Sequence, residues 1–284
     1  MDGKKFKVLF FQVNTLQNPR NFEDFLKNLQ RLPDDERTSK RGIRLDNVMF
    51  DSQINVWYGA LTKVRMDNLP EKINQKNGKL APLPITAEEG IAEMTAFLYV
   101  PDIKILLIQK SQYGPQVTAL AEYFQEKFAA LPIDFRIVLR NDALQKLKSM
   151  CTVHLFELKT ARIEPDAFSS DESAINFLQS LYTSDCLKID LRLRTDKKSS
   201  LAGWIISFAQ QLCGLSDRVK RIKIGGMYED GRSDLLDLLQ YKREEVVNLT
   251  LPSIRTISFE NRKSALAQAY IRNNEDLHKL YGVC

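Results

Sequence analysis

Histidine is almost absent from this chain: His154 and His278 are the only two. Two imidazoles do not supply a His-rich zinc site, and neither HExxH nor GxSxG occurs, so the motif-borne zinc proteases and serine hydrolases find no support. The Walker phosphate loop and GxGxxG are missing as well, and Gly225-Gly226 alone reads as the turn after a strand. Cysteine is scarce: Cys151, Cys186, Cys213 and Cys284 are scattered, with no CxxC. In a chain of this length that pattern fits reduced thiols in the cytoplasm. No stretch approaches the roughly 18 apolar residues of a membrane span, so membrane insertion is not expected. The apolar run inside MDGKKFKVLFFQVN is too short for a signal-peptide core, ending at Gln12 and Asn14. Internal repeats and low-complexity segments are not evident.

What is present is the balance of a folded protein: 284 residues, 44% hydrophobic and 27% charged, enough for one large domain or two ordinary ones. Lys and Arg outnumber Asp and Glu, 41 to 36, for a formal charge of +5. That balance permits a polyanionic partner without requiring one.

The stretch GIAEMTAFLYVPDIKILLIQK, Gly90–Lys110, organises the rest. Its apolar runs, Ala96–Val100 and Ile103–Ile108, meet across Pro101-Asp102. This predicts a β-hairpin buried on both faces, at the centre of a sheet. Upstream, Phe6–Val13 is a strand. Phe22, Phe25, Leu26 and Leu29 follow helical spacing over Phe22–Arg31. Val48–Phe50 and Asn55–Arg65 are strands, and Glu71–Pro84 is a polar surface excursion. Downstream, Gly114-Pro115 opens a helix to about Ala130, Ile133–Leu139 is a strand, Asn141 caps a helix over Asp142–Met150, and Cys151–Leu158 is the next strand.

Beyond Pro165, Asp171 is a cap for a helix through Leu181. Leu187–Arg194 alternates, with Leu187, Ile189, Leu191 and Leu193 inward and Lys188, Asp190, Arg192 and Arg194 outward. Ser200–Cys213 is helical, Val219–Ile224 a strand, Val246–Leu251 and Ile254–Phe259 a second hairpin about Pro252-Ser253, and Glu260–Gly282 a final helix. The fold class expected is α+β, with a mixed, mostly antiparallel sheet. A division near residue 160 gives a first domain, 1–160, built on the central hairpin. A second subdomain, 161–284, carries the basic strands and the last helix.

Two chemical readings follow. Asp102 after Pro101, with Glu157-Leu158-Lys159 far downstream, resembles the acids and lysine of PD-(D/E)xK nucleases, which hold Mg²⁺ between strands. The competing reading makes Asp102 a turn residue. His154 lies mid-strand, where packing is its simpler role. The second reading rests on three basic clusters. Arg37, Lys40, Arg41 and Arg44 lie in a loop. Lys188, Arg192, Arg194, Lys197 and Lys198 lie on a strand and the turn after it. Arg218, Lys220, Arg221 and Lys223 begin the next strand. The last two clusters fall on successive strands, so they can share a sheet face and follow a phosphate backbone. Asp190, Asp196 and Asp217 offset part of that charge, and on charge alone a solvated face is the simpler account. Aromatic interleaving for single-strand stacking is missing.

Three stretches carry a resemblance: NVWYGALTKVRMDNLP (Asn55–Pro70), EGIAEMTAFLYVPDIKILLIQ (Glu89–Gln109) and Tyr113-Gly114-Pro115 before a helix. Together they resemble a group of phage- and prophage-associated proteins that is itself similar to the phage lambda Rex exclusion protein A. The likeness covers about the first 160 residues. It implies a cytoplasmic homodimer that binds double-stranded DNA with little sequence preference and acts in abortive infection or phage exclusion, with no catalytic set and no cofactor.

The expected phosphate contacts are Arg192, Arg194, Lys197, Lys198, Lys220, Arg221 and Lys223. The last helix or the Pro252 hairpin would supply the dimer surface, and a second defence-system protein is a further possible partner. The alternatives left open are a Mg²⁺ nuclease on Asp102, Glu157 and Lys159, and a partner-sensing defence subunit that touches no nucleic acid.

Overall fold

A computed structural model describes residues 4–15, 21–129, 133–161, 188–196, 199–201, 204–214, 219–250 and 256–282. The fold is α+β, and every strand pairing described is antiparallel. The strands are β1 (Lys4–Asn14), β2 (Ile43–Asp51), β3 (Val56–Arg65), β4 (Lys72–Ile73), β5 (Leu80–Ala81), β6 (Ile91–Val100), β7 (Ile105–Gln109), β8 (Asp134–Ile137), β9 (Met150–Ala161), β10 (Lys188–Arg194), β11 (Val219–Tyr228), β12 (Ser233–Asp237) and β13 (Glu244–Leu249). The helices are α1 (Phe22–Arg31), α2 (Val117–Phe128), α3 (Asn141–Ser149), α4 (Trp204–Gly214) and α5 (Phe259–Tyr281).

A seven-stranded sheet runs β13-β1-β7-β6-β3-β2, with β8 also on β1, and a four-stranded sheet runs β10-β9-β11-β12. The β6–β7 hairpin sits inside the larger sheet with both faces buried, as its unbroken apolar runs dictate. Its loop has four residues rather than two: Val100 pairs with Ile105, and Lys104 turns back at φ 54°.

Strand period two sorts the core into two clusters. Phe6, Val8, Phe10, Leu98 and Leu107 face α5, which covers them with Ala265, Leu266, Ala269, Tyr270 and Leu277. Leu9, Phe11, Phe97, Tyr99 and Leu106 face the other way, into a cluster that α1, α2, α3 and α4 share with Phe156, Leu158, Ile222 and Ile224 of the smaller sheet. Each such fully buried side chain contributes about 1.5–3 kcal/mol. The α1 helix is fixed by a capping box between Asn21 and Asp24, and Phe22 meets Tyr99 and Phe124 edge-on at 4.7 and 5.2 Å.

Residues on each side of position 160 contribute to both sheets. β9 is a central strand of the smaller one, and β13 closes the larger one on β1. Several local expectations shift. α3 begins at Asn141 itself, without a side-chain cap. Gly225 and Gly226 lie within β11, not in a turn after it, and a Cβ on Gly226 would sit 2.4 Å from Met150 Sδ. Phe259 opens α5, where an extended strand was expected. The expected Asp171–Leu181 helix and the Pro252 turn lie outside the described residues. Among the described residues no helix is long and apolar enough to cross a membrane.

Candidate nucleic-acid interface

The smaller sheet turns one face to the shared core and leaves the other without a covering element among the described residues. The sorting is local: in His154-Leu155-Phe156-Glu157-Leu158-Lys159-Thr160, Phe156, Leu158 and Thr160 are buried, so Leu155, Glu157 and Lys159 point outward. β10 obeys the same rule, with Ile189 buried and Asp190, Arg192 and Arg194 exposed. On β11, Val219, Ile222 and Ile224 are buried, and a register shift between Val219 and Arg221 makes Lys220 an extra, exposed residue.

The register turns these residues into rows across the outer face. Asp190, Lys159 and Arg221 form one. Arg192, Glu157, Lys223 and Asp237 form the next, and Arg194, Leu155, Gly225 and Leu235 a third. The two basic strands are therefore not neighbours: β9 lies between them. Arg192 Nε is 3.2 Å from Glu157 Oε1, and Lys159 Nζ is 3.0 Å from Asp190 Oδ2. Arg194, Lys220, Arg221 and Lys223 make no ion pair among the described residues, and cations outnumber carboxylates on this face. Lys197, Lys198 and Arg218 lie outside the described residues.

At one end of the face, His154, Arg194, Thr195 and Asp196 line a hollow of about 570 Å³. The His154 Nδ1 atom is buried there without a hydrogen-bond partner. The alternation in β9 is the sequence signal that places Glu157 and Lys159 on this surface.

The loop cluster behaves differently. Arg37 pairs with Asp34, Arg41 with Glu122, and Arg44 with Asp46 and Asp34. Arg37 and Arg41 before β2 and Arg44 within it each already have a counter-charge, while Lys40 contributes its backbone N–H to Glu126.

The nuclease set is not assembled. Asp102 sits in the β6–β7 turn of the larger sheet, both carboxylate oxygens accepting from Asn55 Nδ2 at 2.9 Å. Glu157 and Lys159 lie on the smaller sheet, on the face turned away from the shared core. Among the described residues no group of three or more His, Cys, Asp and Glu side chains is placed to hold a metal.

A separate cleft of about 1040 Å³ opens between α3 and the β11–β12 hairpin. Lys146 reaches Asp234 at 3.3 Å, Tyr228 donates to the same carboxylate at 3.2 Å, and Arg232 holds Asp230 at 2.6 Å. The hydrogen bond that Lys146 donates to Asp234, and the charge of that carboxylate, raise the Lys146 ammonium above its ordinary value. These ions neutralise one another, so the cleft lacks the charge excess of the sheet face.

A family model described as a family of unknown function, DUF6731, matches residues 1–279. The chain belongs to the DUF6731 family. The match runs across both sheets and most of α5, so the family unit includes the open face. No curated protein matches the chain.

Proposed function

We propose that this protein binds double-stranded DNA through its phosphates, without reading base sequence, on the outer face of the smaller sheet. One observation carries the reading: Arg194, Arg221 and the half-buried Lys223 lie on one face, exposed Lys220 stands at the bulge beside them, and none of the four makes an ion pair among the described residues. Fixed cations on a rigid sheet displace the counterions condensed on a duplex, and such contacts position the protein without specifying bases. The protein acts without chemistry of its own in this reading. Its setting, abortive infection or phage exclusion by a cytoplasmic homodimer, rests on the resemblance of the first 160 residues alone. The apolar face of α5 packs on the protein's own sheet, so a dimer needs another surface.

The test is fluorescence anisotropy with two duplexes of unrelated sequence over a salt series. Expected are equal affinities and a log–log salt slope to which the sheet face contributes about −4, for four to five phosphates. No binding at low salt refutes the reading and favours a subunit that senses a protein partner.

A further inference from the structure

The excursion between β3 and β6 holds a second feature that the sheet face does not use. β4 and β5 form a two-stranded ribbon, with Ile73 opposite Leu80 and Lys72 opposite Ala81. Period two then gives the ribbon two unlike faces. Ile73 and Leu80 share one, and they are 60% and 61% exposed. Lys72 and Lys79 share the other, and Lys76 stands in the connecting turn. That turn is built, not loose: Gly78 takes φ 68° and donates to Asn74 O at 2.7 Å, while Asn74 and Asn77 side chains accept from Lys76 and Lys79 backbone N–H groups. An isolated two-stranded ribbon is marginal in water, and an exposed apolar pair on it gains most when something covers it.

We infer that this ribbon is a DNA-inserting arm: Ile73 and Leu80 wedge against base steps in a groove while Lys72, Lys76 and Lys79 take the flanking phosphates. The inference rests on the duplex-binding reading above. The commitment to DNA over other occupants comes from charge complementarity, since three lysines against Glu71 alone give this ribbon a cationic back and tip around its apolar pair. Duplex grooves accept two-stranded ribbons, and apolar side chains inserted from an arm unstack base steps and kink the helix.

The experiment uses the full chain and a duplex labelled at both ends for energy transfer, with anisotropy over a salt series and sedimentation in parallel. Wild type is expected to raise transfer by bending the duplex. The Ile73→Ser/Leu80→Ser variant should bind but lose that rise. The Lys72→Gln/Lys76→Gln/Lys79→Gln variant should reduce the magnitude of the salt slope by two to three units, at about 0.9 per phosphate. All substitutions are on exposed positions, and unchanged melting temperatures verify the fold. Arm variants that bind and bend like wild type overturn the inference while leaving the sheet face intact. So does a wild type that binds without bending, or an arm variant that only dissociates an oligomer. A wild type that fails to bind at low salt removes the sheet-face reading and the arm together.

Discussion

Arg192 and Glu157 stand directly across the β10–β9 ladder, Nε to Oε1 at 3.2 Å, and Lys223 flanks the same carboxylate from the opposite strand. Asp237 ends the same row beyond Lys223, so Glu157 is the acid that lies between the row's two cations. Arg192 is exposed and Glu157 half-buried, and a solvent-screened pair of this kind is worth about 1 kcal/mol to the fold. For a polyanion approaching the face, the carboxylate is a direct opponent. Glu157→Gln should therefore leave the melting temperature nearly unchanged and tighten DNA binding by roughly fivefold, about 1 kcal/mol, at low salt. Weaker binding would mean that Glu157 orients Arg192 for contact. Loss of a Mg²⁺-dependent cleavage would revive the nuclease reading.

Arg194 and Arg221 lie two rows apart on opposite sides of β9, exposed and without an ion pair among the described residues. Reversing both charges removes two phosphate contacts and adds two repulsions. The Arg194→Glu/Arg221→Glu variant should lose about a hundredfold in duplex affinity and reduce the magnitude of the salt slope by about two, with unchanged circular dichroism. Arg41→Glu is the matched control. Arg41 is bonded to Glu122 in the loop cluster, so reversal there should disturb local stability and leave DNA affinity as it was.

The elements that the sequence discloses are those whose pattern is local. The β6–β7 hairpin shows in its apolar runs, α1 in the spacing of four apolar residues, and the two faces of β10 in strict alternation. Pairing between distant strands has no such local sign. The basic clusters of β10 and β11 read as able to share a face because they follow one another along the chain, and only the ladder register inserts β9, with Glu157, between them. The β4–β5 ribbon had a sign that the polar surroundings masked: Asn77-Gly78 between Ile73 and Leu80 is a tight-turn dipeptide flanked by apolar residues. Gly225-Gly226 misled in the other direction. Glycine pairs usually end strands, but Gly226 is kept inside β11 by the close approach of Met150.

Gly59 lies opposite Phe97 at the centre of the larger sheet, and a Cβ there would fall 2.3 Å from the ring's Cζ. The aromatic ring occupies the space that a side chain would need. Gly59→Ala should cost about 1–3 kcal/mol in urea unfolding, because the ring must leave its rotamer in a close-packed core. Pairing it with Phe97→Leu should recover part of that loss, so the double variant is more stable than the sum of the singles implies. Strict additivity would show that the ring is free to move.

Glu244 at the start of β13 bridges Lys7 on β1 at 3.3 Å and Lys110 after β7 at 3.1 Å. Partial burial pushes its carboxyl up, the Lys110 and Lys7 ammoniums pull it down, and the balance lies below the ordinary value. A carboxyl depressed in the folded state stabilises that state at pH values above its unfolded pKa, about 4.3. The contribution fades as the pH falls through the lower folded value, where both states bind the proton. Glu244→Gln should then cost about 0.5–1 kcal/mol at neutral pH, the solvent-screened worth of such a bridge. The gap between variant and wild type should close below about pH 4, as read by urea unfolding at both ends of the range. A gap that widens on acidification would mean that burial, not the two lysines, governs this carboxyl, and that β13 is held at the sheet edge by Val247 and Leu249 packed beneath α5.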